Sequence, residues 1–132
     1  MIWSKAVAVV FIGILILSGC SAPQNSDENT AYHKIEAKEA KQMMEQQDVI
    51  IVDVRREDEY VKGHIPDAVL VPNETMKEEA ETKLPDKEAT YLVYCRSGNR
   101  SAQASKVLNE LGYKNIYDFG GIQEWPYEIA GK

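Results

Sequence analysis

From residue 32 onward the chain alternates between short apolar runs and longer stretches with helical spacing. Val49-Ile50-Ile51-Val52-Asp53-Val54 is a continuous apolar run interrupted only by its aspartate. Ala68-Val69-Leu70-Val71 is shorter and is closed by Pro72. Tyr91-Leu92-Val93-Tyr94 and Asn115-Ile116-Tyr117-Asp118 form two more runs, and a brief Lys34-Ile35 segment a fifth. Runs that are apolar on both faces predict buried parallel strands rather than half-exposed antiparallel ones. Helices are predicted between them. Ala37 to Gln46 places Ala40, Met43 and Met44 at helical spacing, and Glu74 to Lys83 reads as a charged surface helix. Ser101 to Leu111 is the clearest, with Ala104, Val107, Leu108 and Leu111 on one stripe and Gly112 where a C-terminal cap belongs. Strands that alternate with helices imply right-handed βαβ units and a parallel sheet.

The first thirty residues follow a different pattern. Ala6 to Leu17 reads AVAVVFIGILIL, without one charged or polar side chain, and Lys5 is the only charge ahead of it. That run is shorter than the roughly 17–25 residues of a membrane-spanning helix. A basic start, a short apolar stretch and small residues after it describe a secretory signal. Its exit, Leu17-Ser18-Gly19-Cys20, resembles the lipobox of bacterial lipoprotein precursors. The resemblance implies cleavage before Cys20 and a lipid on Cys20. A plain signal peptide, or an uncleaved anchor in which Cys20 is incidental, is the simpler alternative. Ser21 to Ala31 is polar, contains Pro23 and has no apolar period, which predicts a flexible tether with an average span of about 18 Å. The expected organisation is a signal over residues 1–19, a lipidated start and tether over 20–31, and one folded domain over 32–132. The domain is expected on the outer, extracytoplasmic side of the membrane.

Composition narrows the function. The 132 residues carry 15 basic and 21 acidic side chains, a net charge of −6, which disfavours nucleic acid as a partner. Hydrophobic residues at 44% suffice for a packed core, so global disorder is excluded. Cys20 and Cys95 are far apart and His33 and His64 stand alone, so neither a disulfide framework nor a metal site is expected. No lysine-rich face or aromatic stripe nominates a protein partner.

The chemistry concentrates in Cys95-Arg96-Ser97-Gly98-Asn99-Arg100-Ser101, between a predicted strand and a predicted helix. Backbone N–H groups in such a turn can converge into an anion-binding nest. The helix start adds the positive end of its dipole. Gly98 permits a backbone conformation that other residues resist, and Arg96 and Arg100 bring two fixed positive charges. Each feature favours an anion, so the loop suits a nucleophilic cysteine that attacks an anionic substrate. A buried cysteine beside two surface arginines is the plainer reading.

This loop resembles the active-site loop of single-domain rhodaneses, the thiosulfate sulfurtransferases. Three other segments resemble the family in the same order: Val52-Asp53-Val54-Arg55, Glu59 to Ala68 with its Gly63-His64-Ile65-Pro66, and Asp118 to Trp125 with Gly120-Gly121. The likeness covers roughly residues 33–128. Asp67 departs from it, because the family usually has glycine at this turn. The resemblance implies a three-layer α/β/α domain with a five-stranded parallel sheet. It implies that Cys95 takes a sulfane sulfur from thiosulfate or a related anion, carries it as a persulfide, and passes it to cyanide or a thiol. No organic cofactor or metal is implied. Arg96, Ser97, Gly98, Asn99 and Arg100 would cradle the persulfide and the anion, with Arg96 touching substrate. Arg100 either does the same or pairs with an acid such as Asp53. Asp53 and Arg55 would form buried structural ion pairs rather than catalytic ones, His64 would serve as a turn histidine, and Ser101 would support the site. Glu57-Asp58-Glu59 reads as a solvated helix face, and Trp125 as core packing. The alternative is a rhodanese-like persulfide carrier or binding module that serves a dedicated partner. A cysteine phosphatase or arsenate reductase fits less well, because its loop is Cys-x5-Arg and Cys95 to Arg100 is Cys-x4-Arg. A thiol–disulfide oxidoreductase would want a Cys-x-x-Cys pair.

Overall fold

The computed structural model describes residues 30–131. The expected signal at 1–19, Cys20 and most of the tether lie outside the described residues. Among the described residues five strands form: β1 (Tyr32–Lys34), β2 (Ile50–Asp53), β3 (Val69–Leu70), β4 (Thr90–Cys95) and β5 (Asn115–Gly121). They join one sheet in the order β1-β5-β4-β2-β3, and every pairing is parallel. Four helices lie between them: α1 (Ala37–Gln46), α2 (Glu57–Val61), α3 (Met76–Lys83) and α4 (Asn99–Glu110).

Strand alternation explains why both faces are covered. In β2, Val52 faces one core and Ile51 the other. In β4, Tyr91, Val93 and Cys95 face the first core, and Leu92 and Tyr94 the second. The first core is closed by Met76 and Ala80 of α3 and by Ala104 and Leu108 of α4. The second is closed by Ala40 of α1 with Phe119 and Trp125. An apolar sheet with helices on both sides is the three-layer α/β/α arrangement expected from the sequence.

Several boundaries differ from the expected ones: β1 lies at Tyr32–Lys34 rather than Lys34-Ile35, β2 and β3 are shorter than their apolar runs, and β4 is longer, at Thr90–Cys95. Helix α4 begins at Asn99, two residues ahead of Ser101, because Gly98 at φ +111° turns the chain directly into it. Its other end is as expected: Gly112, at φ +92°, and Tyr113 fold back onto Asn109 and Leu108 with N–H donors at 3.1 Å. The charged stretch after Pro72 starts as a 3-10 turn over Asn73–Thr75 before α3, and α3 is exposed on one side only, since Met76 and Ala80 are buried. Strand β5 continues past Asp118 to Gly121. Its pairing with β4 slips from Val93↔Asp118 to Cys95↔Gly121, so β5 carries one extra residue there. Among the described residues no helix is long and apolar enough to cross a membrane.

Candidate active site

Cys95 is the last residue of β4, a strand flanked by neighbours on both sides, and it is 1% exposed. The carboxyl ends of central parallel strands are where α/β sheets place their ligands. The chain then turns through Arg96 and Ser97 to Gly98, the residue that caps α4. The Gly98 N–H donates to Cys95 Sγ at 2.9 Å. Ser101 Oγ, fully buried on the first turn of α4, lies 3.5 Å from the same sulfur and donates to the Gly98 carbonyl at 3.0 Å. The sulfur therefore sits against an N–H donor and a hydroxyl at the positive end of a 12-residue helix. Asn99 and Arg100, expected in the loop, belong to the helix's first turn, and Arg96, Ser97 and Asn99 are exposed.

The loop is held from behind by β5. Gly120 adopts φ +85°, and its N–H donates to Asp118 Oδ1 at 2.9 Å. The buried Asp118 also accepts from Tyr32 Oη at 3.1 Å and pairs with Lys34 at 3.4 Å. Gly121 lies so close to the loop that a Cβ there would fall on the Arg96 carbonyl and Ser97 Cα. The Gln123 N–H donates to that carbonyl at 3.3 Å.

The arginines divide their roles. Arg55 grips Asp53 through Nε and Nη2 at 2.7–3.1 Å, and its Nη2 also donates to the Gly63 carbonyl at 2.7 Å. Tyr94 Oη donates to Asp53 Oδ2 at 2.6 Å and accepts from the Ile65 N–H at 3.0 Å. Burial first, and the Asp53 carboxylate second, push the Tyr94 hydroxyl far above its ordinary range. Asp53 and Arg55 thus form a buried ion pair with each other.

Arg100 does not pair with Asp53, whose oxygens Arg55 and Tyr94 already occupy. It makes a two-pronged bond to Glu59 of α2, at 2.7 and 3.0 Å. Hydrogen bonds from Arg100 hold the Glu59 carboxyl down to about 2, and the same pairing raises Arg100. Of the three acids expected on a solvated face, Glu57 and Asp58 are exposed and Glu59 is not. The sequence signal for it was that Glu59 alone of the three opens the family-like segment to Ala68, but its partner emerges only when α2 is set beside α4.

The remaining expectations concern packing. His64 lies 3.0 Å from the Tyr60 carbonyl through Nδ1, stacks on the Tyr60 ring at 3.8 Å and bridges Ala130 through its backbone, as a turn histidine does. Trp125 is 8% exposed, packs against Phe119 and donates to the Glu128 carbonyl at 3.2 Å. Asp67 has φ +67°, the conformation glycine favours, which accounts for a turn position that aspartate tolerates. A cavity of about 530 Å³ opens between the end of α2 and the 122–129 segment, with Arg96 in its wall. Among the described residues no group of three or more His, Cys, Asp or Glu could hold a metal ion.

A parallel α/β domain with a buried cysteine at a central strand end, cradled by a glycine N–H at a helix start, defines a class of cysteine-dependent α/β proteins. The rhodanese-like domain family matches residues 36–127, and the chain belongs to it. Thiosulfate sulfurtransferase PspE from Escherichia coli K12 is 37% identical over 73 residues, covering 55% of this chain and 70% of that protein. A tRNA uridine(34) hydroxylase from Yersinia pestis is 35% identical over 98 residues, 70% of this chain, and the chain spans only 28% of its length. A solved structure described as rhodanese with anions from E. coli superposes with a TM-score of 0.60 at 32% identity, covering 64% of this chain and all of that one. Membership of this family, with a thiosulfate sulfurtransferase among the relatives, supports a sulfurtransferase-type enzyme.

Proposed function

We propose that the protein transfers sulfane sulfur from thiosulfate or a related anion to cyanide or a thiol through a persulfide on Cys95. The observation that carries this is the Gly98 N–H aimed at the buried Sγ at 2.9 Å, at the start of α4. In the first step the Cys95 thiolate attacks the outer sulfur of thiosulfate. A new S–S bond forms on Sγ, the sulfur–sulfur bond of thiosulfate breaks, and sulfite leaves with its electron pair. In the second step the acceptor attacks the outer sulfur of the persulfide, and the thiolate returns as leaving group. The Gly98 N–H and the helix dipole stabilise the anion on sulfur in both states. Ser101 Oγ can turn its proton from the Gly98 carbonyl to the sulfur. Arg96, exposed beside the cavity, meets the anionic part of the donor, and Arg100 shapes the loop through Glu59.

The test is intact mass of the full chain before and after thiosulfate, then after cyanide. One sulfur atom should be gained, then lost with release of thiocyanate, and Cys95→Ala should gain none. A folded, reduced chain that gains nothing from thiosulfate or from an organic persulfide overturns the reading.

The same proposal includes a lipid on Cys20 that holds the domain at the outer face of the membrane. Its support is the apolar run Ala6–Leu17 followed by Leu17-Ser18-Gly19-Cys20. Labelling of the full chain in cells with a fatty-acid analogue should mark the membrane fraction. Cys20→Ser should lose both label and membrane association, and an unlabelled cytoplasmic protein sinks this part.

A further inference from the structure

We propose that the cavity beside the Cys95 loop seats the sulfur acceptor, an organic thiol with an apolar body and an anionic group, and that Lys62 selects it. The inference rests on the sulfurtransferase reading and narrows its acceptor. Size is the first argument. Sites for small organic ligands occupy roughly 300–1,000 Å³, and this cavity holds about 530 Å³. Cyanide or thiosulfate alone would leave most of it to water.

The walls supply the second argument. Ile122, Trp125 and Ile129 make one side apolar. Lys62 and Arg96 contribute two positive charges, and among the described residues neither side chain makes an ion pair. The other charged groups in the wall are already matched: Glu59 by Arg100, and Arg55 by Asp53. A net positive cavity on a chain of net charge −6 is complementary to an anion that the rest of the surface repels.

Position is the third. The cavity walls are tied to the Cys95 loop on both sides, through Glu59 to Arg100 and through Gln123 to the Arg96 carbonyl. Lys62 follows α2 directly and precedes Gly63, whose carbonyl Arg55 holds at 2.7 Å. Its backbone is therefore anchored, while the residue itself is exposed. A bound thiol attacks the outer sulfur of the Cys95 persulfide as its thiolate. The bond between Sγ and that sulfur breaks, the electron pair stays on Sγ, and the acceptor leaves as a persulfide. No oxidant or reductant is consumed.

The full chain is loaded with thiosulfate, freed of excess donor, and mixed with N-acetylcysteine or with its neutral amide. Rates of return of the Cys95 thiol give a preference for the anionic probe. Comparing that preference between proteins cancels the intrinsic reactivity of the two thiols. Lys62→Gln should reduce the preference about threefold and Lys62→Glu about tenfold, as expected for one partly screened charge. Lys106→Gln, on the exposed side of α4, should leave it as in the parent. Equal preference in the parent and both Lys62 variants overturns this inference alone. A chain that never gains sulfur at the loading step overturns the sulfurtransferase reading, and this one with it.

Discussion

The Arg100–Glu59 ion pair joins α4, the helix that follows the active-site loop, to α2, across 41 residues of chain. Arg100 and Glu59 face each other with both prongs engaged, so the pair resists rotation as well as separation. The Glu59 carboxyl is held at about 2 against an ordinary 4.5. A carboxyl lowered on folding stabilises the fold above its ordinary value, and that stabilisation is lost as pH falls toward the lowered one. Glu59→Gln should therefore cost about 1–2 kcal/mol at neutral pH, the full shift being reduced for a half-buried group. Urea unfolding of the two proteins should show the gap closing as pH falls from 4.5 toward 2. A gap that does not depend on pH would mean the pair contributes nothing through its charge.

Strand β5 acts on the site as an element. Its extra residue opposite β4 throws Gly120 and Gly121 against the back of the Cys95 loop. The two adjacent glycines are needed for different reasons. Gly120 has φ +85° with nothing near a Cβ, so alanine there meets only conformational strain, about 1–2 kcal/mol. Gly121 has an ordinary extended backbone, φ −114°, but no room beside the Arg96 carbonyl. Gly121→Ala must push the loop away, costing about 1–3 kcal/mol in stability. Because a displacement near 1 Å can cost about a hundredfold in rate, persulfide formation should fall far more in Gly121→Ala than in Gly120→Ala. Rapid-mix mass spectrometry of both variants with thiosulfate measures the difference. Similar rates would mean the loop does not depend on β5 for its position.

At the scale of the molecule, the Asp53–Arg55–Tyr94 network ties β2, β4 and the Gly63–Ile65 turn into one block beneath the site. Removing Arg55 strands a fully buried carboxylate. Arg55→Ala should destabilise the domain by about 3–5 kcal/mol, a large part of the 5–15 kcal/mol typical of a domain. Arg56→Ala, one residue on and exposed, should stay within about 0.5 kcal/mol. Urea midpoints at pH 7 separate the two cases. The same network shows how far the chain can be read without its fold. The parallel sheet, helices α1 and α4, and the cysteine loop were all legible, because period, turn chemistry and helix start are local properties of Val49–Val54, Ala104–Leu111 and Cys95–Ser101. Buried ion-pair roles for Asp53 and Arg55 came from the family resemblance, but Arg100 was an equal candidate for Asp53, and only the fold assigns that carboxylate to Arg55. Contacts between distant segments were not legible. Glu59 differs from Glu57 and Asp58 only in opening the family-like segment to Ala68, which names no partner for it, and nothing local assigns Gly121 a steric role and Gly120 a conformational one. Those choices belong to tertiary packing, which alone decides which acid meets Arg100 and which glycine meets the Arg96 carbonyl, because both contacts exist only once α2, β5 and the loop share one end of the sheet.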